Sequence, residues 1–212
     1  MGRSANYVPY RAAFIRNCHT LIARGYSVLS APSFQDAQEP VITGELVRSM
    51  KEVLQRLDSP AWMDFFSVAD DPPVNAAKRK GKDRRRVDIE IERGQRGPRP
   101  RLQFEAKRLY SSNSVSEYVG DEGMRLFISG EYASAQIDGG MLGYVQKDDC
   151  ESWAAKIGEK LNGDTRKYHV STGGDFASLT IVAGLDSTHR SVHGRLKGLK
   201  PITIYHTFLT FR

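Results

Sequence analysis

A chain of 212 residues, 40% of them hydrophobic, is long enough for one substantial core and leaves little room for a separate motor or specificity domain. Lysine and arginine number 31 against 25 aspartates and glutamates, a net charge of +6 that suits phosphate contact without requiring it. With only Cys18 and Cys150, no stretch near the ~20 apolar residues that span a bilayer, and no apolar signal run over residues 1–18, the composition argues against a disulfide scaffold, a cysteine zinc site and a membrane segment. The expectation is one cytoplasmic domain over residues 1–212, with no membrane contact.

Residues 9–25 predict a helix with Phe14, Cys18, Leu21 and Ile22 on one face and Gly25 as its stop. Residues 30–41 predict a loop. A stronger helix is expected from a Thr43 cap to about Leu57, with Ile42, Leu46, Met50, Val53, Leu54 and Leu57 apolar and Glu45, Ser49, Glu52 and Arg56 on another face. Trp62–Val68 predicts a strand, closed by Asp70-Asp71-Pro72-Pro73.

Next comes a basic run, Lys78, Arg79, Lys80, Lys82, Arg84, Arg85 and Arg86, broken only by Gly81 and Asp83. It is either a solvated loop or a phosphate-contacting surface; its position directly before the following strand favours the second. Val87, Ile89 and Ile91 alternate with Asp88, Glu90 and Glu92, the period of a half-buried strand. Gly94–Pro100 predicts a turn, and Leu102, Phe104 and Ala106 then alternate with Gln103, Glu105 and Lys107. Folding the strands back about that turn sets Asp88 opposite Glu105, and opposed positions hold their Cβ atoms about 5 Å apart on one face. Asp88, Glu105 and Lys107 are thus gathered on one polar face.

After a Ser/Asn-rich connection (111–116), a helix is expected over about 121–137 and a strand over 141–145. A further helix is expected over 150–161 and late strands over 178–183 and 202–211. Between those strands lies a polar loop with His189, Arg190, His193 and Arg195. Its residues can contact phosphate or simply face solvent; two histidines four apart with no third ligand make a poor zinc site. The whole reads as α/β, a mixed central sheet flanked by helices.

Three polar groups on a hairpin can be ordinary cross-strand salt partners. Against that, Leu102–Leu109 is otherwise apolar enough for an interior strand, where a carboxylate and an ammonium are costly unless used. Phosphodiester hydrolysis at neutral pH needs an activated water and counter-charge at phosphorus. Magnesium supplies both through one or two carboxylates, and manganese can substitute. Asp88 and Glu105 provide such a pair, and the Lys107 ammonium can orient water or stabilise phosphoryl charge.

The order of helix, strand, strand with Asp88, strand with Glu105-Ala106-Lys107, helix and strand resembles the PD-(D/E)XK nuclease superfamily, the restriction-endonuclease-like fold, over about residues 43–145. Val87 stands where the family name has proline. The resemblance implies an α-β-β-β-α-β core between an N-terminal helical extension (1–40) and C-terminal strands and loop (165–212). It implies that Asp88 and Glu105 ligate metal and Lys107 positions the nucleophile. Glu45 matches an additional acidic ligand of many members, or is a plain helix-start carboxylate. Gln136 falls where some members carry a supporting glutamine, or is a surface residue. The stretches Glu105–Tyr110, Gly130–Tyr132 and Asp138–Tyr144 are similar to nuclease components of bacterial anti-phage or restriction operons.

The expected function is therefore a magnesium-dependent endonuclease acting on DNA in bacterial defence, with Arg108, Arg190, His193 and Arg195 joining the basic run as nucleic-acid contacts. A homodimer is expected because two sites are needed to cut both strands; the chain has no G-x-x-x-x-G-K-[ST] motif of its own, and a further reading is a nuclease silent alone that needs an operon partner such as an ATPase. The alternative is a non-cleaving, nucleic-acid-binding subunit of a larger defence or repair complex.

Overall fold

The computed structural model describes residues 7–74, 82, 84–196 and 198–212. Its elements in chain order are α1 (Tyr7–Ser27), α2 (Glu39–Gln55), β1 (Phe66–Asp70), β2 (Ile89–Arg93), β3 (Arg101–Leu109), α3 (Ser114–Val119), α4 (Arg125–Ile128), β4 (Asp138–Val145), α5 (Cys150–Gly163), β5 (Ala177–Ser178), β6 (Thr188–His193) and β7 (Ile202–Thr210), with single 3₁₀ turns at Ala31–Phe34 and Ala61–Phe65. The strands form one mixed sheet in the order β1-β2-β3-β4-β7-β6-β5. β1, β2 and β3 are antiparallel neighbours, β3, β4 and β7 are parallel, and β6 and β5 return antiparallel at the far edge.

Alternation along the strands divides the core in two. Leu102, Phe104, Ala106, Leu142 and Tyr144 face α1 and α2, meeting Phe14, Cys18, Leu21, Ile22, Ile42, Leu46 and Met50. Leu109, Met141, Val145, Ile204 and Phe208 face α3, α4 and α5, meeting Tyr118, Phe127, Trp153 and Ile157. Helices thus flank both faces, as the alternating pattern predicts. β4 is buried along its whole length and carries three glycines whose missing side chains are replaced by aromatic rings. A Cβ on Gly140 would lie 2.0 Å from the Phe104 ring, one on Gly139 2.7 Å from Phe127, and one on Gly143 2.6 Å from Phe208.

Several expectations need correction. Helix α1 runs past Gly25, which is a packing residue: a Cβ there would sit 2.4 Å from Met50 Cγ. Helix α2 starts four residues early, at Glu39, with Pro40 in its first turn, where the lost N–H has no helical acceptor anyway. Thr43 is consequently inside the helix, sharing a 2.9 Å hydrogen bond with the Tyr144 hydroxyl, and Leu57 lies beyond the helix end and is fully exposed.

The single helix expected over 121–137 is absent. Gly120 and Gly123 make turns so tight that a Cβ would meet main-chain oxygens at 2.5 and 2.4 Å, and Gly130 and Ala133 adopt positive φ. The expected span therefore holds only α4 and a run of turns up to β4, while α3 precedes it and starts inside the 111–116 segment expected as a connection. Finally, the presumed polar loop at 189–193 is strand β6, with Thr188, Ser191 and His193 turned inward.

Candidate active site

Asp88 directly precedes β2. The β2–β3 pairing sets Ile89 beside Phe104, and one step further along places Asp88 across from Glu105. Asp88 is fixed on both sides. Its carbonyl accepts the Asp71 N–H at 3.0 Å, and its Oδ2 accepts the Ala106 N–H at 2.6 Å.

On β3, Glu105 and Lys107 point away from the α1–α2 core. Lys107 Nζ donates to Glu105 Oε1 at 2.7 Å, to Glu39 Oε1 at 3.1 Å and to the Ala106 carbonyl at 2.8 Å, so its three donors are all engaged. Glu39, in the first turn of α2, accepts the Arg108 N–H through its other oxygen at 3.2 Å. Glu105 is 6% exposed, and its Oε2 has no hydrogen-bond partner among the described residues. The neighbouring Tyr132 hydroxyl does not supply one, because its single proton goes to the Arg86 carbonyl.

Burial and then the charge of Asp88 push the Glu105 carboxyl up to about 7, with Lys107 opposing. Burial likewise raises Asp88 to about 6, opposed by the Ala106 N–H and Lys107. Burial acts to lower Lys107, but Glu105 and Glu39 outweigh it, and the ammonium is held above its usual range. The cluster therefore carries more carboxylate than its one cation balances, and a buried carboxylate oxygen without a donor is a costly arrangement.

A hard divalent cation fits this donor set. Among the described residues no group of three or more His, Cys, Asp or Glu converges on one point, so this is not a closed cage. Two facing carboxylates, Asp88 and Glu105, suit a metal that keeps most of its sphere for water and substrate oxygens.

The other residues singled out in the sequence lie elsewhere. Glu45 pairs with Arg48 at 2.6 Å on an exposed face of α2, and it is Glu39 that reaches Lys107. Gln136 sits in the turns before β4, not late in a helix; its carbonyl accepts from Arg195 at 2.8 Å. Lys78, Arg79 and Lys80 lie outside the described residues, while Lys82 is exposed and Arg84 partly buried. Arg85 pairs with Glu131 and Glu122, and Arg86 with Asp71. Arg108 binds Gln146 and Gln38 and lies over the Tyr110 ring at 4.3 Å. Arg190 is exposed on β6. His193 is fully buried and is no phosphate contact.

His193 belongs instead to a closed chain of hydrogen bonds. Its Nδ1 faces the Tyr168 carbonyl at 2.7 Å and so carries the proton, leaving Nε2 to accept from Ser191 at 2.6 Å. Ser191 in turn accepts from His206 Nε2 at 2.8 Å, and His206 Nδ1 accepts from the Tyr118 hydroxyl at 3.1 Å. Every group is satisfied with both rings neutral, and burial holds His193 down at about 4.

Glu39 and Tyr132 are the site residues that the sequence reading missed. The Glu39-Pro40 pair is a legible helix start, an acid and a proline in the first turn. Tyr132 carries no local signal, since it arrives through the irregular turns after α4. No family model, no curated protein and no solved structure matches the chain.

Proposed function

We propose that the protein is a magnesium-dependent endonuclease that hydrolyses DNA phosphodiester bonds, with a role in bacterial defence against foreign DNA. One observation carries this reading: Glu105 Oε2 is buried without a donor among the described residues, directly across from a second carboxylate and beside a charged lysine. The succession α2, β1, β2, β3, the short helices α3 and α4, then β4 adds support for the PD-(D/E)XK-like core.

In this reading Asp88 and Glu105 hold the cation, which when bound supplies Lewis acidity at the phosphoryl group and a lowered pKa for water. Asp88 is oriented by the Ala106 N–H. Lys107 keeps its charge and is tethered through Glu39 to α2. Its ammonium already rests on Glu105 Oε1, beside the Oε2 that would face a cation, and there it would orient a substrate oxygen or the attacking water. A second copy supplies the second cut in duplex DNA, and an operon partner such as an ATPase supplies motor function.

Supercoiled plasmid, incubated with magnesium or manganese and then with EDTA, tests the reading with wild type, Asp88→Ala and Lys107→Ala. Metal-dependent nicking abolished by both substitutions is expected. Cleavage that survives both removes this site from consideration. Absence of cleavage, with manganese binding that disappears in Asp88→Ala, identifies an enzyme gated by a partner. Absence of both cleavage and metal binding leaves the non-cleaving nucleic-acid-binding subunit.

A further inference from the structure

A cleft of about 1040 Å³ opens at the turn end of the β2–β3 hairpin, between the first turns of α1, the 95–101 turn, and Arg195 with residues 198–200. Arg101 at this end and Glu105 are four residues apart on β3, about 13 Å of strand, so the cleft is separate from the carboxylate–lysine cluster. Its volume is at the upper end of the ~300–1,000 Å³ of small-ligand sites.

The lining brings together five cationic side chains, Arg11, Arg99, Arg101, Arg195 and Lys200, and one carboxylate, Asp138. Asp138 is already taken by Arg11 at 2.5 and 2.6 Å, and Arg99 and Arg101 share Glu92. Arg195 differs from these. Its three hydrogen bonds all go to main-chain carbonyls, of Lys200, Ala133 and Gln136, at 2.6 to 2.8 Å. The guanidinium is partly buried, has no carboxylate partner among the described residues, and keeps two of its five N–H donors. Lys200 beside it is exposed and likewise without an ion-pair partner among the described residues.

The walls are built rather than incidental. Arg195 ties Lys200 to the turns before β4, and Gln95 closes the hairpin turn onto the Pro98 carbonyl at 2.6 Å while accepting from the Tyr10 hydroxyl. Gly97 and Gly198 adopt positive φ on opposite walls. Nothing lies within 4 Å of where their Cβ atoms would be, and neither amide donates to another described residue. Open main-chain N–H groups beside uncompensated guanidinium and ammonium charge are the chemistry of phosphate recognition. Apolar surface is present too: Tyr10, with Arg93 over its ring at 5.2 Å, together with Pro98, Pro100 and Leu199.

We infer that this cleft binds a nucleotide unit, with phosphate on Arg195, Lys200 and Arg99 and the base against Tyr10 and the neighbouring prolines. The unit belongs either to a nucleic-acid strand or to a free nucleotide; both present the same anion and the same flat ring. The inference does not depend on hydrolysis at Asp88 and Glu105.

Fluorescence anisotropy with a labelled oligodeoxythymidine, in EDTA so that no cleavage contributes, tests it. Wild type is compared with Lys200→Glu, with Arg99→Glu/Lys200→Glu, and with Lys51→Glu/Lys160→Glu on the exposed faces of α2 and α5 as a control matched in charge to the double variant; circular dichroism verifies folding. The double variant is expected to weaken binding about tenfold or more, and the control far less. Millimolar ATP that displaces the oligonucleotide identifies a free-nucleotide pocket. Failure of ATP to compete, with the variant effect intact, identifies a strand-binding cleft. Equal affinities for the double variant and the control, or no binding of either ligand, overturn the inference.

Discussion

Asp88 Oδ2 accepts the main-chain N–H of Ala106 at 2.6 Å, so a side chain closes the β2–β3 ladder where main-chain pairing has ended. Asp88→Asn keeps an oxygen for that bond and removes the charge. The variant is expected to fold, with a melting temperature in EDTA at or above that of wild type, and, on the metal-site reading, to lack the upward shift that manganese is expected to give wild type. A manganese shift of wild-type size in Asp88→Asn would remove Asp88 from the cation site.

Glu105 has the reverse pH logic of a surface carboxylate. Its carboxyl is raised from 4.5 to about 7 in the folded protein, so the folded state binds the proton more tightly. Its contribution to stability is complete below about 4.5 and is lost as pH rises through about 7. Wild type should therefore lose stability relative to Glu105→Gln between pH 5 and 8, by up to roughly 3 kcal/mol. Urea unfolding of both proteins in EDTA at the two pH values measures this, and parallel pH dependences would contradict it.

Glu39 and Glu45 lie on the same helix, and only Glu39 touches Lys107. On the hydrolytic reading, Glu39→Gln is expected to lower plasmid nicking by about 10- to 100-fold, as is usual for groups that orient a functional side chain. Glu45→Gln loses one exposed ion pair, and its rate should stay within about twofold of wild type. Initial rates at saturating manganese check the contrast, and the opposite ranking would return the role to Glu45.

Gly140→Ala places a Cβ 2.0 Å from the Phe104 ring in the middle of the sheet and is expected to cost about 1–3 kcal/mol or more. Gly163→Ala, at the last residue of α5 with nothing within 4 Å, should be neutral or stabilising by about 0.4–1 kcal/mol. Denaturant midpoints for the pair distinguish a packing glycine from a merely permissive one.

Ser191→Ala removes the hydroxyl between His193 and His206 and leaves two buried ring nitrogens unpaired, at a cost of about 2–4 kcal/mol. Because burial lowers His193 from 6.5 to about 4, its contribution is present above 6.5 and is lost as pH falls through 4. The variant should thus unfold at a higher pH than wild type in an acid titration followed by tryptophan fluorescence.

The hairpin was legible in the sequence because two signals agreed. The alternation at 87–92 and 102–107 assigned faces, and the glycine- and proline-rich 94–100 segment centred the turn, so the opposition of Asp88 and Glu105 followed without tertiary information. The start of α2 was displaced because Thr43 looked like a cap, whereas its hydroxyl is used in the core by Tyr144. β6 is not legible in the sequence because its inward positions are Thr188, Ser191 and His193, polar groups satisfied inside the protein, which give no hydrophobic alternation. The turns that deliver Tyr132 depend on close glycine–backbone approaches that periodicity does not register.

β3 is the seam of the sheet, antiparallel to β2 on one side and parallel to β4 on the other. Lys107 is therefore anchored by the parallel half, while Asp88 depends for its place on the hairpin. A one-residue slip in that hairpin would turn Asp88 to the opposite face and leave Glu105 and Lys107 where they are. The length of the 94–100 turn thus acts as a spacer with an odd–even rule: changes by two residues can preserve the facing carboxylates, and changes by one dismantle them while the rest of the sheet stays paired.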